Sequence, residues 1–486
     1  MPQVDYHAIA PEIILGGTIM VVLVADLFLR PERKWFSMVL AFLGTLGALA
    51  VALTLIGETR SSFGGTYVVD AFAVLFKVFF LVAALAVLLL SLRYFREGRY
   101  YQGEYYFLLL SAFLGMLTIS SSRDLLMLFI SLELVTAPAW LMAGFRKRDP
   151  RSNEAALKFF LIGILSTAVM LYGMSLIYGV TGSLRLVDIA RELAGPAQGI
   201  AIAAVLFVVT GFAFKVSSVP FHFWAPDTYE GSPIPVAAFL SVASKAAGFA
   251  GLLQIMFLGF RPLAEYWAPV FAVLSILTMT LGNLIALQQR QVVRLLAYSS
   301  VAQAGYMLLP FALIASGSGE AALATNERAF AAAVLYILIY GVMNLGAFGV
   351  VVALAREAPG ALISDFAGLW RSSRAPWLAV AMAAFMISLG GVPPLAGFWG
   401  KFFIFGAAVE ADQAWLAVVM VVNSVVSLYY YVAIVRQMFL VEVPALRPLR
   451  APLGVTAVVA LAAVTVVAVG IVPDLLARFP QGATLP

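Results

Sequence analysis

Cysteine is absent from the 486 residues. That excludes disulfides, thiolate metal sites and cysteine-ligated iron–sulfur clusters from this chain. Histidine occurs twice, as His7 and His222, too few for a bis-histidine haem. Neither a G-x-G-x-x-G following a strand pattern nor a G-x-x-x-x-G-K-[ST] is present, so redox chemistry and nucleotide hydrolysis are not expected of the chain itself. Charge is scarce as well. Asp, Glu, Lys and Arg make up 11% of the residues, where soluble domains carry about 25%.

What is present is apolar. Hydrophobic residues reach 63% and the mean hydropathy is +0.99. A water-soluble core does not bury that much apolar surface, so the solvent is lipid. The formal charge of +5 is read as the excess of Lys and Arg that membrane proteins keep in cytoplasmic loops, not as a nucleic-acid signal.

On a ruler of roughly 20 mainly apolar residues per crossing, the sequence predicts an all-α, polytopic membrane protein of fourteen spans. They fall at 11–29, 37–57, 70–92, 105–121, 124–145, 155–178, 199–218, 236–258, 266–288, 293–314, 327–354, 376–408 with a break, 413–437 and 452–472. The first has no basic stretch before it and carries Glu12 and Asp26 in or near it, so it is read as a retained helix and not a cleavable signal.

The 30 Lys and Arg residues test this count. Sorted by alternating loops, 18 fall in one set, at 30–34, 93–99, 146–151, 290–294, 356–374 and 436–450. Seven fall in the other: Arg60, Arg123, Arg185, Arg191, Arg261, Arg328 and Arg478. The positive-inside rule then places both termini on the non-cytoplasmic side, which requires an even number of spans. Within the outer set, 184–194 has apolar positions at helical spacing after Ser183, a candidate N-cap, and is expected to be a short amphipathic helix.

Two spans are interrupted. Span 7 meets Val219-Pro220 and runs on through FHFWAPDTYEGSPIP without a clear helix; span 12 is cut by GGVPPLAG at 390–397. Proline removes a helix hydrogen bond and clashes with the carbonyl four residues back, so both places should unwind. The breaks lie five spans apart. A five-span unit repeated in tandem must invert, which makes spans 4–8 and 9–13 candidate inverted halves with an ion path near the midplane. Two unrelated proline kinks are the alternative. The expected division is an N-terminal three-helix segment, 1–104, a first half, 105–258, a second half, 259–440, and a last span within 441–486.

Five of the seven lysines lie in spans: Lys77, Lys158, Lys215, Lys245 and Lys401. A lysine at mid-bilayer costs about 2.5–3.5 kcal/mol. Arginine, which does not readily give up its proton, is missing from the span interiors, whereas lysine can release one. The pattern suits protonation changes. Lys215 precedes the first break, Lys245 is well inside span 8, Lys401 follows the second break, and Glu133 is central in span 5. These four are the candidate proton-transfer groups; a structural pair or a snorkelling end is the alternative for each. Lys77 and Lys158 are open between structure and function, and Asp26 and Asp70 read as interfacial caps. His222 follows the first break and is either a relay or a hydrogen-bonded loop residue. RLLAYSSVAQAGY at 294–306 places Tyr298, Ser299, Ser300 and Gln303 in span 10, where they can organise water, with Ser244, Thr136 and Asn344 as further contributors.

These segments resemble a known family. FKVSSVPFHFWAPDTYEGSPIPVAAFLSVASKAAGFA at 214–250, RLLAYSSVAQAGY, GGVPPLAGFWGKF at 390–402 and NEAALKFFLIG at 153–163 are similar to subunit N of the proton-pumping NADH–quinone oxidoreductase, respiratory complex I. The resemblance covers essentially the whole chain. It implies an antiporter-like fold of fourteen helices in two inverted five-helix units, with Glu133 paired to Lys215, a central Lys245 and a Lys401 on the twelfth helix. It implies a subunit that couples redox-driven conformational or electrostatic change to proton transfer along a lysine, glutamate and water axis. No redox centre is expected in this chain; flavin, iron–sulfur clusters and quinone belong to partner membrane and peripheral subunits. A bacterial-type inner membrane is the expected location, with an organelle or thylakoid membrane as the alternative. One position departs from the family: many members carry His where this chain has Gln303, which holds water but does not release a proton at physiological pH. A subunit of a cation/proton antiporter or a membrane-bound hydrogenase is the second reading, and a passive spacer the third.

Overall fold

Apolar runs form the helices, and prolines and glycines end them. The computed structural model describes residues 4–97, 102–317, 319–355, 357–358, 360–370, 375–442, 449 and 451–475. Of the sorted basic residues, Arg99, Arg356, Arg371, Arg374, Arg447, Arg450 and Arg478 lie outside these, as do both chain ends.

The N-terminal group is α1 (Ala10–Phe28), α2 (Phe36–Thr54) and α3 (Ala71–Glu97). An antiparallel hairpin, β1 (Arg60–Ser62) and β2 (Tyr67–Val69), joins the last two and was not foreseen from the sequence. Then come α4 (Gln102–Ser121), α5 (Leu125–Ala143), α6 (Pro150–Thr181), α7 (Leu186–Leu193), α8 (Gly199–Lys215) and α9 (Trp224–Gly231). The next crossing is composite: α10 (Ile234–Phe239), a π-helical stretch Leu240–Ser244, α11 (Lys245–Gln254) and a second π stretch Ile255–Gly259. The chain continues through α12 (Ala264–Ala286), α13 (Val292–Leu308), α14 (Glu320–Leu354), α15 (Pro376–Gly390), α16 (Ala396–Glu410), α17 (Ala414–Leu440) and α18 (Leu453–Ile471).

Among the described residues, twelve helices, counting Ile234–Gly259 as one, are long and apolar enough to cross a membrane. The chain is a multi-pass membrane protein. Two shorter apolar helices, Gly199–Lys215 and Pro376–Gly390, stand where the sequence predicts the interrupted spans. Several helices run longer than the hydropathy reading: the predicted 327–354 begins at Glu320, and 155–178 extends over Pro150–Thr181.

The α10–α11 crossing is buried on every side, and α13 and α14 nearly so, while α1, α6 and α17 bury one face. Lipid is as apolar as leucine, so helices associate where small residues let backbones approach. A Cβ on Gly282 of α12 would fall 2.6 Å from the backbone nitrogen of Ala302 in α13, and one on Gly115 of α4 would fall 2.8 Å from the Ser131 carbonyl in α5.

Both expected breaks are present. After α8 the chain leaves the helix at Val216, and after α15 it turns at Gly391, with φ 86°. The freed backbone groups find protein partners, as lipid requires. Val219 N–H donates to Thr278 Oγ1 of α12 at 3.0 Å, and Gly397 N–H donates to Ser388 Oγ at 3.0 Å. Ser217 adopts left-handed backbone, φ 62°, a conformation a non-glycine residue holds only where its surroundings impose it.

Three local expectations differ from the structure. FHFWAPDTYEG is not without helix, because Trp224–Gly231 form α9. Pro226 sits in its first turn, where no intrahelical N–H bond is required of it. The amphipathic helix exists as α7, burying Leu186, Ile189 and Leu193, but Arg185, not Ser183, precedes it. Leu184 and Arg185 are drawn into extended pairing with the start of α5: Leu125 N–H donates to the Leu184 carbonyl at 2.9 Å, and Asp124 and Arg185 form a bridge. Asp26 is not a cap but a partner of Lys34, at 2.6 Å. Asp70 is a cap, accepting from Ala73 N–H at 2.8 Å, and also pairs with Arg123 at 2.5 Å.

Candidate functional site

Lys215 is the last residue of α8, placed there by the turn that opens the first break, and is 7% exposed. Its ammonium donates to Thr136 Oγ1 of α5 at 2.7 Å. Glu133 lies one turn earlier on α5 and accepts from Thr167 Oγ1 of α6 at 3.0 Å. No ion pair within 4.0 Å joins Glu133 to Lys215 among the described residues; Thr136 is the group bonded to the ammonium. The Lys215 stem lies on α11: a Cβ on Gly248 would fall 2.8 Å from Lys215 Cγ.

Lys245 begins α11, directly after the π-helical stretch Leu240–Ser244, and is 2% exposed. A π turn displaces side chains from the ordinary helical register and recurs at functional sites. The Lys245 ammonium donates to the Ser300 carbonyl at 2.7 Å and to Ser300 Oγ at 2.9 Å on α13. Lys401, in the second turn of α16, is 6% exposed. It reaches back across the second break to the carbonyls of Leu389, at 3.1 Å, and Gly390, at 3.2 Å, and its ammonium stands 4.5 Å over the Tyr306 ring. A Cβ on Gly391 would fall 2.8 Å from Lys401 Cδ, so this lysine, like Lys215, lies along a glycine.

Between Lys245 and Lys401 runs a buried polar chain. Next to Ser300, Ser299 Oγ shares a hydrogen bond of 2.5 Å with Tyr431 OH of α17. The Gln303 amide donates to Tyr431 OH at 3.1 Å and to the Leu389 carbonyl at 3.1 Å. Tyr336 OH of α14 donates to Gln303 Oε1. Leu389 O is the acceptor already used by Lys401. A side branch links Tyr430 OH to Asn283 Oδ1 at 2.8 Å, and the Asn283 amide to Tyr306 OH at 3.1 Å. Tyr431, Tyr336, Tyr430 and Asn283 were missed in the sequence. The signal available for Tyr431 was a hydroxyl within SLYYYV, which reads as lipid-facing apolar helix.

The remaining candidates gather elsewhere. Lys158 pairs with Glu154 and with Asp227 Oδ2 of α9, each at 2.8 Å. Arg294 of α13 takes Asp227 Oδ1 at 2.8 Å and Glu230 at 2.7 Å, and lies 5.9 Å over the Tyr298 ring. Asp227 was not singled out in the sequence, yet it ties α6 to α13. His222 is half-buried beside the first break with Nδ1 unbonded among the described residues. Asn344 donates to Tyr340 OH at 2.8 Å. Ser244 is buried in the π stretch. Lys77 is fully buried near α1, 3.0 Å from Glu12 and 2.6 Å from Tyr67 OH, apart from the polar chain. Among the described residues, no three His, Asp or Glu side chains gather as a metal site would need.

A family profile described as NADH:quinone oxidoreductase/Mrp antiporter, transmembrane, matches residues 122–427. NADH-quinone oxidoreductase subunit N of Trichlorobacter lovleyi is 39% identical, over 99% of this chain and 97% of that protein. A chain of respiratory complex I from Thermus thermophilus, solved with bound aureothin, superposes with a TM-score of 0.80 at 34% identity, over 97% of this chain and 100% of that one. A chain of the Mrp complex from Dietzia sp. DQ12-45-1b superposes with a TM-score of 0.86 at 20% identity, over 99% and 97%, a likeness of fold.

Proposed function

Because the chain belongs to the NADH:quinone oxidoreductase/Mrp antiporter family of membrane subunits, we propose that it is the antiporter-like, proton-translocating subunit N of a multi-subunit NADH–quinone oxidoreductase. Its partners are then the other membrane and peripheral subunits, and flavin, clusters and quinone reside in those. The full-length identity of 39% to subunit N favours this over an antiporter subunit, for which the likeness is 20%.

The observation that carries the reading is the buried chain from Lys245 through Ser300, Ser299, Tyr431 and Gln303 to Lys401. Lysine ammonium groups can release a proton, and hydroxyl groups both accept and donate, so such a chain can pass one along once water bridges Ser300 to Ser299 and Gln303 to Lys401, the two links with no direct hydrogen bond among the described residues. Glu133 is the input. When its carboxylate is near, Lys215 keeps its proton; when it swings away, Lys215 yields the proton through water to Lys245. Lys401 takes it onward past the second break. Gln303 holds the chain in register without titrating, and Lys158, His222 and Tyr298 border the α9 end of the path.

The same reading counts each broken helix as one crossing, which makes fourteen spans, with 105–258 and 259–440 as inverted halves and both termini on the non-cytoplasmic side. Tags at either end, probed in intact cells and spheroplasts, test the topology; a cytoplasmic tag refutes it. The function is tested by purifying the tagged chain from its own membranes. A complex with flavin and cluster absorbance that pumps protons on NADH addition is expected. Recovery with antiport partners and no NADH oxidation would overturn the proposal.

A further inference from the structure

A cavity of about 620 Å³ opens at the end of the bundle that carries α7, away from the polar chain. Arg191 and Ala194 of the α7 end, Arg261, Glu265 and Tyr266 at the start of α12, and Ser316 contribute to its wall. Its volume is that of an ordinary small-ligand site, about 300–1,000 Å³. Its wall holds two arginines, although that set of loops is poor in them.

Arg261 is the informative residue. It is half-buried, and among the described residues its guanidinium has neither an ion pair nor a hydrogen-bond acceptor. A guanidinium carries five N–H donors in a fixed fork that matches the oxygens of a phosphate. Arg191 overhangs the same cavity and is held toward α7 by Asp188, at 3.5 Å. On the same segment as Arg261, four residues on, Glu265 offers an exposed carboxylate beside the Tyr266 hydroxyl, without an ion-pair partner among the described residues. The wall therefore presents two cations and one anion, the complement of a phosphate joined to an ammonium.

The surroundings indicate where such a group comes from. The α7 helix buries Leu186, Ile189 and Leu193 and leaves Val187 53% exposed, the layout of a helix lying in the membrane interface. Ile200 at the start of α8 is 50% exposed and Val273 on α12 is 55% exposed. A tyrosine at a helix end, as Tyr266 is, sits at the headgroup level of membrane proteins. Acyl chains can run down the apolar faces of α8 and α12 from a head seated in the cavity.

We propose that this cavity binds the headgroup of a zwitterionic aminophospholipid, with Arg261 and Arg191 on the phosphate and Glu265 on the ammonium. Tight seating would fix the α7–α8 connection to α12, joining the expected first and second halves at this face.

The test uses the intact assembly in nanodiscs of phosphatidylcholine doped with a photoactivatable phosphatidylethanolamine, with labelling mapped to peptides covering 186–200 and 260–268. Wild-type protein should label there, and excess inorganic phosphate should not displace the label. Arg261→Gln should lower the yield about tenfold, the loss of a charge-assisted contact, while Arg261→Lys should keep most of it. Glu265→Gln should reduce labelling by the ethanolamine lipid but not by a phosphatidylglycerol probe. Equal labelling by a phosphatidylcholine probe would mean annular lipid only and overturn the proposal. So would unchanged labelling in Arg261→Gln, or displacement by inorganic phosphate. Labelling is read without turnover, so it stands or falls independently of the proton-pumping proposal.

Discussion

Gln303 and Lys401 donate to the same oxygen, the Leu389 carbonyl, each at 3.1 Å. One residue from the tenth predicted span and one from the far side of the second break thus meet on the backbone of α15. Gln303 also holds Tyr431 and receives Tyr336. Gln303→Leu would strand the Tyr336 hydroxyl, at about 1–3 kcal/mol for a buried unsatisfied group, and leave Tyr431 with Ser299 as its partner. Coupled NADH–quinone turnover should fall by about tenfold, the factor that 1.4 kcal/mol makes in a rate. Gln303→His, which keeps a donor and an acceptor, should stay near wild type. Proton-to-electron ratios of the assembled complexes decide the matter. A normal ratio in Gln303→Leu would remove this chain from the path.

Gly248 makes room for Lys215. A Cβ there would fall 2.8 Å from Lys215 Cγ and 3.2 Å from Val216 Cγ1. The Lys215 stem would have to move, drawing its ammonium off Thr136. Gly248→Ala should therefore reproduce the loss of coupling of Lys215→Met although no charge has changed. Gly179→Ala is the control, since a Cβ there meets nothing within 4 Å. Coupled turnover of the two variants, compared at equal assembly, checks this; an unimpaired Gly248→Ala would show that the position of Lys215 matters little.

Asp227 gives one carboxylate oxygen to Lys158 and the other to Arg294. These groups are about a third to a half exposed, so each pair is worth only about 0.2–1 kcal/mol. Their effect lies in linking α6 to α13 through α9. A double-mutant cycle of Lys158→Met and Arg294→Gln, read as thermal stability of the complex, should give coupling of about 0.5 kcal/mol, within the range for exposed pairs. The coupling should vanish in an Asp227→Asn background. Coupling that persists there would mean the two cations communicate by another route.

Much of this was legible in the sequence, for local reasons. Val219-Pro220 and Val392-Pro393 mark the breaks because proline acts on its own helix. Lys215, Lys245 and Lys401 stand out because a lysine inside an apolar run needs a reason wherever it points. Their partners were not legible. Thr136, Ser300 and the Leu389 carbonyl are set by helix packing across 79, 55 and 12 residues of chain. Tyr431 was hidden because a tyrosine-rich apolar run looks the same facing lipid or facing Gln303. The π stretch before Lys245 was hidden because an inserted residue leaves composition unchanged. Missing α9 was a different error: FHFWAPDTYEGSPIP was read as having no clear helix, although Pro226 occupies a first turn that tolerates it.

Lys245 carries the sharpest test of the proposed mechanism. Its ammonium is held by both oxygens of Ser300, 2.7 and 2.9 Å away, and the groups bonded to it are neutral. If the residue only fills a polar niche, a permanent cation with more donors should serve there. If it passes protons, a guanidinium should fail because it keeps its charge through the cycle. Lys245→Arg and Lys245→Met are both expected to lose coupled pumping. Lys215→Met should do the same, Glu133→Gln should weaken coupling, and Glu133→Asp should retain part of it. Electron transfer from NADH to an artificial acceptor should be unchanged in all of them, because the chain is expected to hold no redox centre. The measurement is the proton-to-electron ratio in vesicles, with assembly checked by subunit content. If Lys215→Met and Lys245→Arg complexes assemble and pump at the normal ratio, these lysines are structural and the lysine path does not operate.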